Sequence, residues 1–242
     1  MAYSGKDMKG VDRPVILALE TATMCGSVAL VAENRCLAEF TLQTGETHSR
    51  RLLAAIARLL KETAVDWSHI DGVAVSLGPG SFTGLRIGLA TAKGLVMASG
   101  TKLIGIGTLD GLARQFFGAG DILICPVLDA RKKEVYCGFY RCDNTGVPRP
   151  QTENMVVNPE VLCRRITEPA VLIGDGAVEY SELFHRQLGD LLLVAPPHTY
   201  FPRAAAVGSL ALEKWHRAEF LEPEKTEPVY IRPSEAELHF GR

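Results

Sequence analysis

Short runs of apolar and β-branched residues alternate along the chain with segments that have helical periodicity. The first such runs are separated by tight turns and predict three strands, at 15–20, 26–32 and 37–41. An amphipathic helix is expected next, with Thr47 or Ser49 as its N-cap and an apolar arc of roughly 120°. That arc is formed by Leu52, Leu53, Ile56, Leu59 and Leu60.

A second helix, at about 84–99, follows a predicted strand at 72–77 and a turn rich in glycine. Apolar residues lie all round this helix, and only Arg86 and Lys93 mark a polar stripe. One edge lacks bulk, since small residues recur at spacing four: Gly84, Gly88 and Ala92. Two interpretations stay open, namely a core helix inside its own domain and a helix that docks closely on a second polypeptide.

The glycine-rich turn before this helix is a weak candidate for a nucleotide loop. Gly78, Gly80 and Gly84 are spaced one residue too far apart for the dinucleotide fingerprint, and Pro79 removes a backbone donor. No acidic residue stands about 20 positions further on to bind a ribose. The pattern therefore does not predict a dinucleotide site here.

The remaining elements repeat the same order. A strand at 102–106 and a short helix near 109–117 complete the first half, and a restart is expected from Asp121. The second half predicts strands at 122–128, 134–141, about 153–157, 170–173 and 191–194, and helices from Pro159, at 177–187 and at 203–219. Three strands followed by alternating helices and strands, used twice, predict an α/β protein with two similar β-β-β-α-β-α lobes. The expected division is a disordered tail at 1–12, one lobe at 13–118, and a second lobe with a tail segment at 119–242.

Composition excludes several classes of protein. The chain has 242 residues, of which 47% are hydrophobic, yet no run approaches the ~18 apolar residues of a membrane span, and the polar start resembles no signal peptide. We therefore expect a cytoplasmic protein with reduced cysteines. The net charge of −2 does not predict an extended basic surface for nucleic acid. The local basic clusters at 50–51 and 131–133 are typical of solvated faces. Contact with nucleic acid is expected together with another subunit.

Five segments carry a specific resemblance. Residues 17–23, 76–88, 129–136, 174–177 and 228–232 together resemble the bacterial TsaB (YeaZ) family, which has a duplicated actin-like (ribonuclease H-like) fold. The resemblance implies a non-catalytic subunit that pairs with TsaD and with the ATPase TsaE. That complex transfers a threonylcarbamoyl group to N6 of adenosine 37 of tRNA, so this chain would meet tRNA through the complex.

An actin-like ATPase needs acidic turns with glycines, because backbone N–H groups must reach phosphate oxygens and a carboxylate must hold Mg²⁺. Each element is altered here. Glu20 replaces a shorter acid and Thr21 opens a turn without glycine, while Asp129 precedes alanine and arginine. The resulting candidate for a vestigial nucleotide cleft consists of Glu20, Thr21, Asp129, Gly174, Asp175 and Gly176. We expect no cofactor, except ATP or ADP held at a junction with partner subunits.

Glu20 and Asp129 could also face each other as a general acid and base, although strand-end acids more often accept hydrogen bonds from a turn. No catalytic or metal-binding residue is predicted. The histidines are never four apart, and no H-E-x-x-H or G-x-S-x-G occurs. Two alternatives remain: a small-molecule kinase, which would bind Mg-nucleotide, and a glycopeptidase-like metallopeptidase, which would retain a transition metal.

We therefore expect the function of this chain to depend on a surface that binds another protein. The resemblance implies that the two apolar helices pair with TsaD, and that the isolated chain uses the same surface for a homodimer, so that the two pairings exclude each other. The residues assigned to this surface are His48, Leu52, Ile56, Leu59, Gly84, Leu85, Gly88, Leu89, Ala92 and Leu95.

Overall fold

A computed structural model describes residues 14–33, 35–43 and 48–231, with the backbone alone for His48 and Ser49. The predicted tail at 1–12, the cap at Thr47 and the motif end at Arg232 lie outside the described residues. The chain divides into two compact units. Among the described residues, the first comprises 14–77, Thr83–Ile106 and Arg203–Pro228, and the second comprises Gly78–Phe82, Gly107–Pro202 and 229–231.

The first unit is built on a five-stranded sheet of order β3-β2-β1-β4-β5. Its strands are β1 (Val15–Glu20), β2 (Cys25–Ala32), β3 (Arg35–Gln43), β4 (Gly72–Gly78) and β5 (Lys102–Gly107). Its helices are α1 (His48–Thr63), α2 (Phe82–Ser99) and α7 (Ala204–His216). β1 pairs antiparallel with β2 and parallel with β4, so the central strand joins a hairpin to a crossover.

Alternating residues of this sheet bury two separate faces. Leu17, Leu19 and Val75 point to the face that α1 and α2 cover. Ile16, Ala18 and Ala74 point to the opposite face, which α7 covers. Both faces of β1 are therefore buried, which explains its unbroken apolar run.

The second unit repeats the strand arrangement, with the path β10-β7-β6-β11-β12. Its elements are α3 (Thr108–Arg114), β6 (Leu123–Arg131), β7 (Glu134–Cys137), β8 (Tyr140–Cys142), β9 (Pro148–Pro150), β10 (Met155–Val157), α4 (Pro159–Arg165), β11 (Ala170–Ile173), α5 (Asp175–Glu179), α6 (Ser181–Leu188) and β12 (Leu192–Val194). As in the first unit, the central strand pairs antiparallel with the next strand, β7, and parallel with a later one, β11. The predicted duplication of an α/β lobe is confirmed.

The division of the chain differs from the predicted lobes at 13–118 and 119–242. Helix α7 lies near the end of the chain but packs in the first unit, where Val207 and Ala211 join the cluster of Ile16 and Ile104. A Cβ at Gly208 would lie 3.3 Å from the Ala18 Cβ, so the helix approaches the sheet closely. The assignment of this helix to the second lobe is wrong, because the outer face of the first sheet needs an apolar cover that no nearer helix supplies.

No helix in the described part of the chain combines the length and the apolar character that crossing a membrane requires.

Candidate partner surface and nucleotide site

Helices α1 and α2 cover the same face of the first sheet. α1 packs on β2 and β3. α2 lies over the neighbouring strands, since its Gly88 adjoins Thr21, which follows β1, and Val75 of β4. The inward side chains of both helices belong to one apolar cluster with the sheet.

This packing buries most of the residues that the sequence analysis assigned to a partner surface. The residues buried by the chain itself are Leu52, Ile56, Leu59, Gly84, Leu85, Gly88, Leu89 and Ala92, and Leu95 is partly buried. The prediction that these side chains form a docking surface is wrong, because they fill the core beneath the two helices. The side chain of His48 lies outside the described residues.

The small-residue edge of α2 also faces inward. The Thr21 hydroxyl donates a hydrogen bond to the carbonyl oxygen of Gly84 at 2.8 Å. A Cβ at Gly88 would overlap that hydroxyl. Gly88 thus lets α2 approach the turn after β1, and for this edge the structure supports the core-helix interpretation.

The opposite sides of the two helices expose apolar residues to solvent. Leu53 is 58% exposed and Met97 is 69% exposed. We call the following set the exposed helix face: Leu53, Ala54, Ala57, Ala90, Gly94, Met97 and Ala98. A side chain added at Gly94 would meet nothing within 4 Å. Exposed apolar residues grouped on a helix are candidates for an interaction site, and the excess of apolar residues round α2 is the sequence signal that points to this face.

The turn after β1 is organised by a buried acid. Glu20 is completely buried, and its carboxylate accepts hydrogen bonds from the Ser76 hydroxyl of β4 and from the Ala22 N–H, the latter at 2.6 Å. Burial raises the pKa of Glu20 from 4.5 to about 7, against the opposing effect of these hydrogen bonds. In the same turn the Cys25 N–H donates to the Thr23 hydroxyl at 3.2 Å. Glu20 therefore acts as the acceptor that closes its own turn.

A second acidic cluster lies near the end of β6. The Asp129 N–H donates to Asp175 Oδ1 at 3.0 Å, and the Arg131 N–H donates to Asp129 Oδ1 at 2.9 Å. Burial raises the pKa of Asp175, and the neighbouring Asp129 carboxylate adds to that rise. The phenol of Tyr180 reaches Asp129 at 3.5 Å. The cluster is thus bonded within itself.

The glycines beside Asp175 are explained by packing. Gly174 has φ of 112°, which side-chain-bearing residues rarely adopt, and a Cβ there would overlap the Val127 carbonyl oxygen. A Cβ at Gly176 would lie 2.8 Å from the Leu128 carbonyl carbon. Both glycines therefore allow α5 to approach the backbone of β6. The place of Gly174, Asp175 and Gly176 in a vestigial nucleotide cleft stays a prediction.

The chemistry of these turns differs from that of a phosphate-binding loop. Backbone N–H groups that would face a phosphate in such a loop here donate to the chain's own side-chain oxygens, as at Ala22, Asp129 and Arg131. Glu20 and Thr21 belong to the first unit and the other candidates to the second. Within each unit, the structure brings that unit's own candidate residues together. A single cleft that contains all six residues stays a prediction. Within the described residues, no group of three histidine, cysteine, aspartate or glutamate side chains could hold a metal ion.

Solved structures define the class of fold. An activator of 2-hydroxyisocaproyl-CoA dehydratase from Clostridium difficile, with bound ADPNP, matches 89% of this chain and 99% of its own chain, with a TM-score of 0.53 and 12% identity. This likeness concerns the fold alone. The protein is thus an actin-like, duplicated α/β protein.

Closer relatives define the family. YeaZ from Pseudomonas aeruginosa matches with a TM-score of 0.77 and 31% identity, over 90% of this chain and 99% of that one. The tRNA threonylcarbamoyladenosine biosynthesis protein TsaB of Escherichia coli is 30% identical over 90% of this chain and 94% of its own length. TsaB of Bacillus subtilis is 28% identical over 92% of this chain and 96% of its own. The family model of TsaD, tRNA N6-adenosine threonylcarbamoyltransferase, matches residues 39–177. The chain belongs to the TsaB (YeaZ) family.

Proposed function

We propose that this chain is a non-catalytic subunit required for formation of threonylcarbamoyladenosine in tRNA, and that it pairs with TsaD and TsaE. The observation that carries the proposal is similarity along 90% of the chain to a protein named for the biosynthesis of that nucleoside. The protein would work in the cytoplasm and would meet tRNA through the assembled complex.

Pairing with TsaD is supported by the relation between the two proteins. This chain itself matches the TsaD family model over 39–177, a range that includes α1 and α2. Related chains that present equivalent helices can pair about a pseudo-two-fold axis, as identical chains do about a true one. The exposed helix face is the surface that would pair, with TsaD in the complex and with a second copy in the isolated chain, so the two pairings would exclude each other.

A non-catalytic role is supported by the two acidic turns. The carboxyl oxygens of Glu20 and Asp175 accept hydrogen bonds from the N–H groups of Ala22 and Asp129, so these N–H groups are already bonded within the chain and do not face a phosphate. We therefore expect no nucleotide hydrolysis by the chain alone. ATP or ADP would bind only where partner subunits supply further groups.

Reconstitution with single omissions tests the function. The purified chain is mixed with TsaD, TsaE, tRNA, ATP and threonylcarbamoyl-adenylate, and modified adenosine is measured after omission of each protein in turn. Loss of modification without this chain, together with no ATPase activity and no transfer by this chain alone, is expected. Full modification in its absence would overturn the proposal.

The surface assignment needs a separate experiment. Met97→Glu places a charge on the exposed helix face without touching the core, and should weaken TsaD pairing by roughly tenfold or more, as truncation of a central contact does. Val194→Glu is the matched control, because Val194 is 72% exposed on β12 in the second unit. If both variants pair with TsaD as tightly as the wild type, another surface carries the interaction.

A further inference from the structure

The hairpin between β6 and β7 ends in three consecutive residues with left-handed backbone. The φ angles are 61° at Arg131, 54° at Lys132 and 61° at Lys133. Residues with a side chain visit this region rarely and usually singly, and asparagine and aspartate are enriched among them. A run of three such residues, all of them basic, is therefore unusual.

The geometry of the turn favours residue types other than lysine and arginine. Lys132 and Lys133 form a two-residue loop with positive φ at both positions, which is the geometry that favours Asn-Gly. Arg131 adjoins a register shift that begins at Asp129, and the left-handed position of such a bulge favours glycine. All three residues are exposed, so their side chains do not fill the core of the unit. Strain that the core does not require points to a function for the residues that cause it.

Arg131, Lys132 and Lys133 form the tip of the hairpin, and polar contacts fix this tip at both ends. The Arg131 guanidinium pairs with Asp129 at 3.0 Å, and the side chain of Arg131 remains 79% exposed. On the other side, the Asn158 amide donates to the Lys133 carbonyl oxygen at 3.4 Å, while Asn158 Oδ1 accepts the Glu160 N–H at the start of α4. The backbone that carries the cations is thus held in place before any ligand arrives, which lowers the entropic cost of binding.

We propose that the tip formed by Arg131, Lys132 and Lys133 binds phosphate groups of an RNA backbone. The inference rests on the proposed function, in which tRNA is the substrate of the complex. Phosphates attract exposed lysine and arginine without reading sequence. The Asp129 carboxylate is only 12% exposed and faces Arg131, so the tip presents cations outward. With a net charge of −2, the chain would bind RNA locally at this tip and not over a broad basic surface.

The test replaces the two lysines by the residues that the turn prefers. Lys132→Asn with Lys133→Gly removes two cations and relieves the left-handed strain, so the variant should unfold at the same or a higher temperature than the wild type. The matched control, Lys225→Gln with Arg186→Gln, removes two exposed cations elsewhere. Each chain is assembled with TsaD and TsaE, and binding of fluorescent tRNA is measured by anisotropy over a range of salt concentrations.

The hairpin variant should bind tRNA roughly tenfold more weakly at low salt, and the slope of log K against log salt should be shallower by about 1.5, as expected for two lost phosphate contacts. The control should match the wild type. Equal affinity and slope for the hairpin variant would overturn the inference. So would weaker assembly with TsaD at unchanged tRNA affinity, since the tip would then bind an acidic protein surface. Omission of the wild-type chain tests the proposed function independently, because it measures modification and not tRNA affinity.

Discussion

Glu20 places a carboxyl group inside the first unit at a cost that depends on pH. Its pKa is about 7 in the folded chain against an ordinary value of 4.5. Since the folded state binds this proton more tightly than the unfolded state, the contribution of Glu20 to stability falls as pH rises from about 4.5 to about 7. The difference corresponds to about 3 kcal/mol at most.

Glu20→Gln removes the titration and keeps the shape of the side chain. Relative to the wild type, the variant should therefore be more stable at about pH 8 than at about pH 5, by up to roughly 3 kcal/mol. Urea unfolding of both proteins at the two pH values measures this difference. A constant gap between the two proteins at both values would show that Glu20 does not titrate in this range.

Gly88 and Gly94 lie on opposite sides of α2 and should respond oppositely to alanine. Gly88→Ala places a methyl group on the Thr21 hydroxyl and should destabilise the chain by roughly 1–3 kcal/mol. Gly94→Ala enters open space and should stabilise the helix by roughly 0.5–1 kcal/mol. Chemical denaturation checks both signs, and Thr21→Ala should recover part of the loss at Gly88. Equal effects at the two glycines would contradict the orientation of α2.

At the scale of elements, the sequence predicted those helices and strands that hydrophobic periodicity alone indicates. β11 matches its predicted bounds, because a short apolar run bounded by turn residues favours a buried strand. α2 was predicted as a helix, but its orientation was not, since apolar residues all round a helix do not show which side faces the sheet. The same holds for α1, where the predicted apolar arc included both Leu52 and Leu53, yet Leu52 is buried and Leu53 is exposed.

Other boundaries depend on contacts that are distant in the sequence. The predicted strand at 134–141 is two strands, β7 and β8, on either side of Gly138, where a Cβ would crowd Asn154. β9 was not predicted, because Pro148 and Pro150 argue against a strand. In the candidate site, the sequence identified Glu20, Asp129 and Asp175 by type. It also favoured turn hydrogen bonds to Glu20 and Asp129, and the structure confirms them. The bond from the Asp129 N–H to Asp175 was not predicted, because these residues are 46 apart in the sequence.

The first N–H groups of helix α7 have no acceptor within the helix. Side-chain oxygens of strands β2 and β3 accept their hydrogen bonds. The Ala204 N–H donates to Ser27 Oγ at 3.1 Å, and the Ala205 N–H donates to Glu39 Oε1 at 3.0 Å. Glu39 also pairs with Arg203. A contact between residues 166 apart thus fixes the start of this helix.

Glu39→Ala should cost roughly 1–3 kcal/mol of unfolding free energy, since it leaves a helix N–H group and a guanidinium without their acceptor. Glu33→Ala is the matched control: Glu33 also reaches α7, through His216 at 2.9 Å, but this pair is exposed. An exposed pair contributes about 0–1 kcal/mol. Equal losses for the two variants in urea unfolding would show that the Glu39 contacts do not anchor the helix.

At the scale of the whole molecule, the two units are interleaved in the sequence, because α7 follows the second unit and returns to the first. Local patterns predicted two successive lobes, since the apolar face of a helix does not indicate which sheet it covers. The consequence is that the first half of the chain lacks one side of its own core. Ile16, Ala18 and Ala74 would face water if α7 were removed.

A fragment of residues 14–118 should therefore fail to unfold cooperatively, because the apolar cover supplied by Val207 and Ala211 is absent. Joining 203–228 to it through a flexible glycine-serine linker should restore a cooperative transition and dispersed amide resonances. The same fusion with Val207→Asp is the control, since a carboxylate at that fully buried position should abolish the rescue. Thermal unfolding followed by circular dichroism separates the cases. If the fragment 14–118 folds cooperatively without α7, the first sheet is stable with only one face covered.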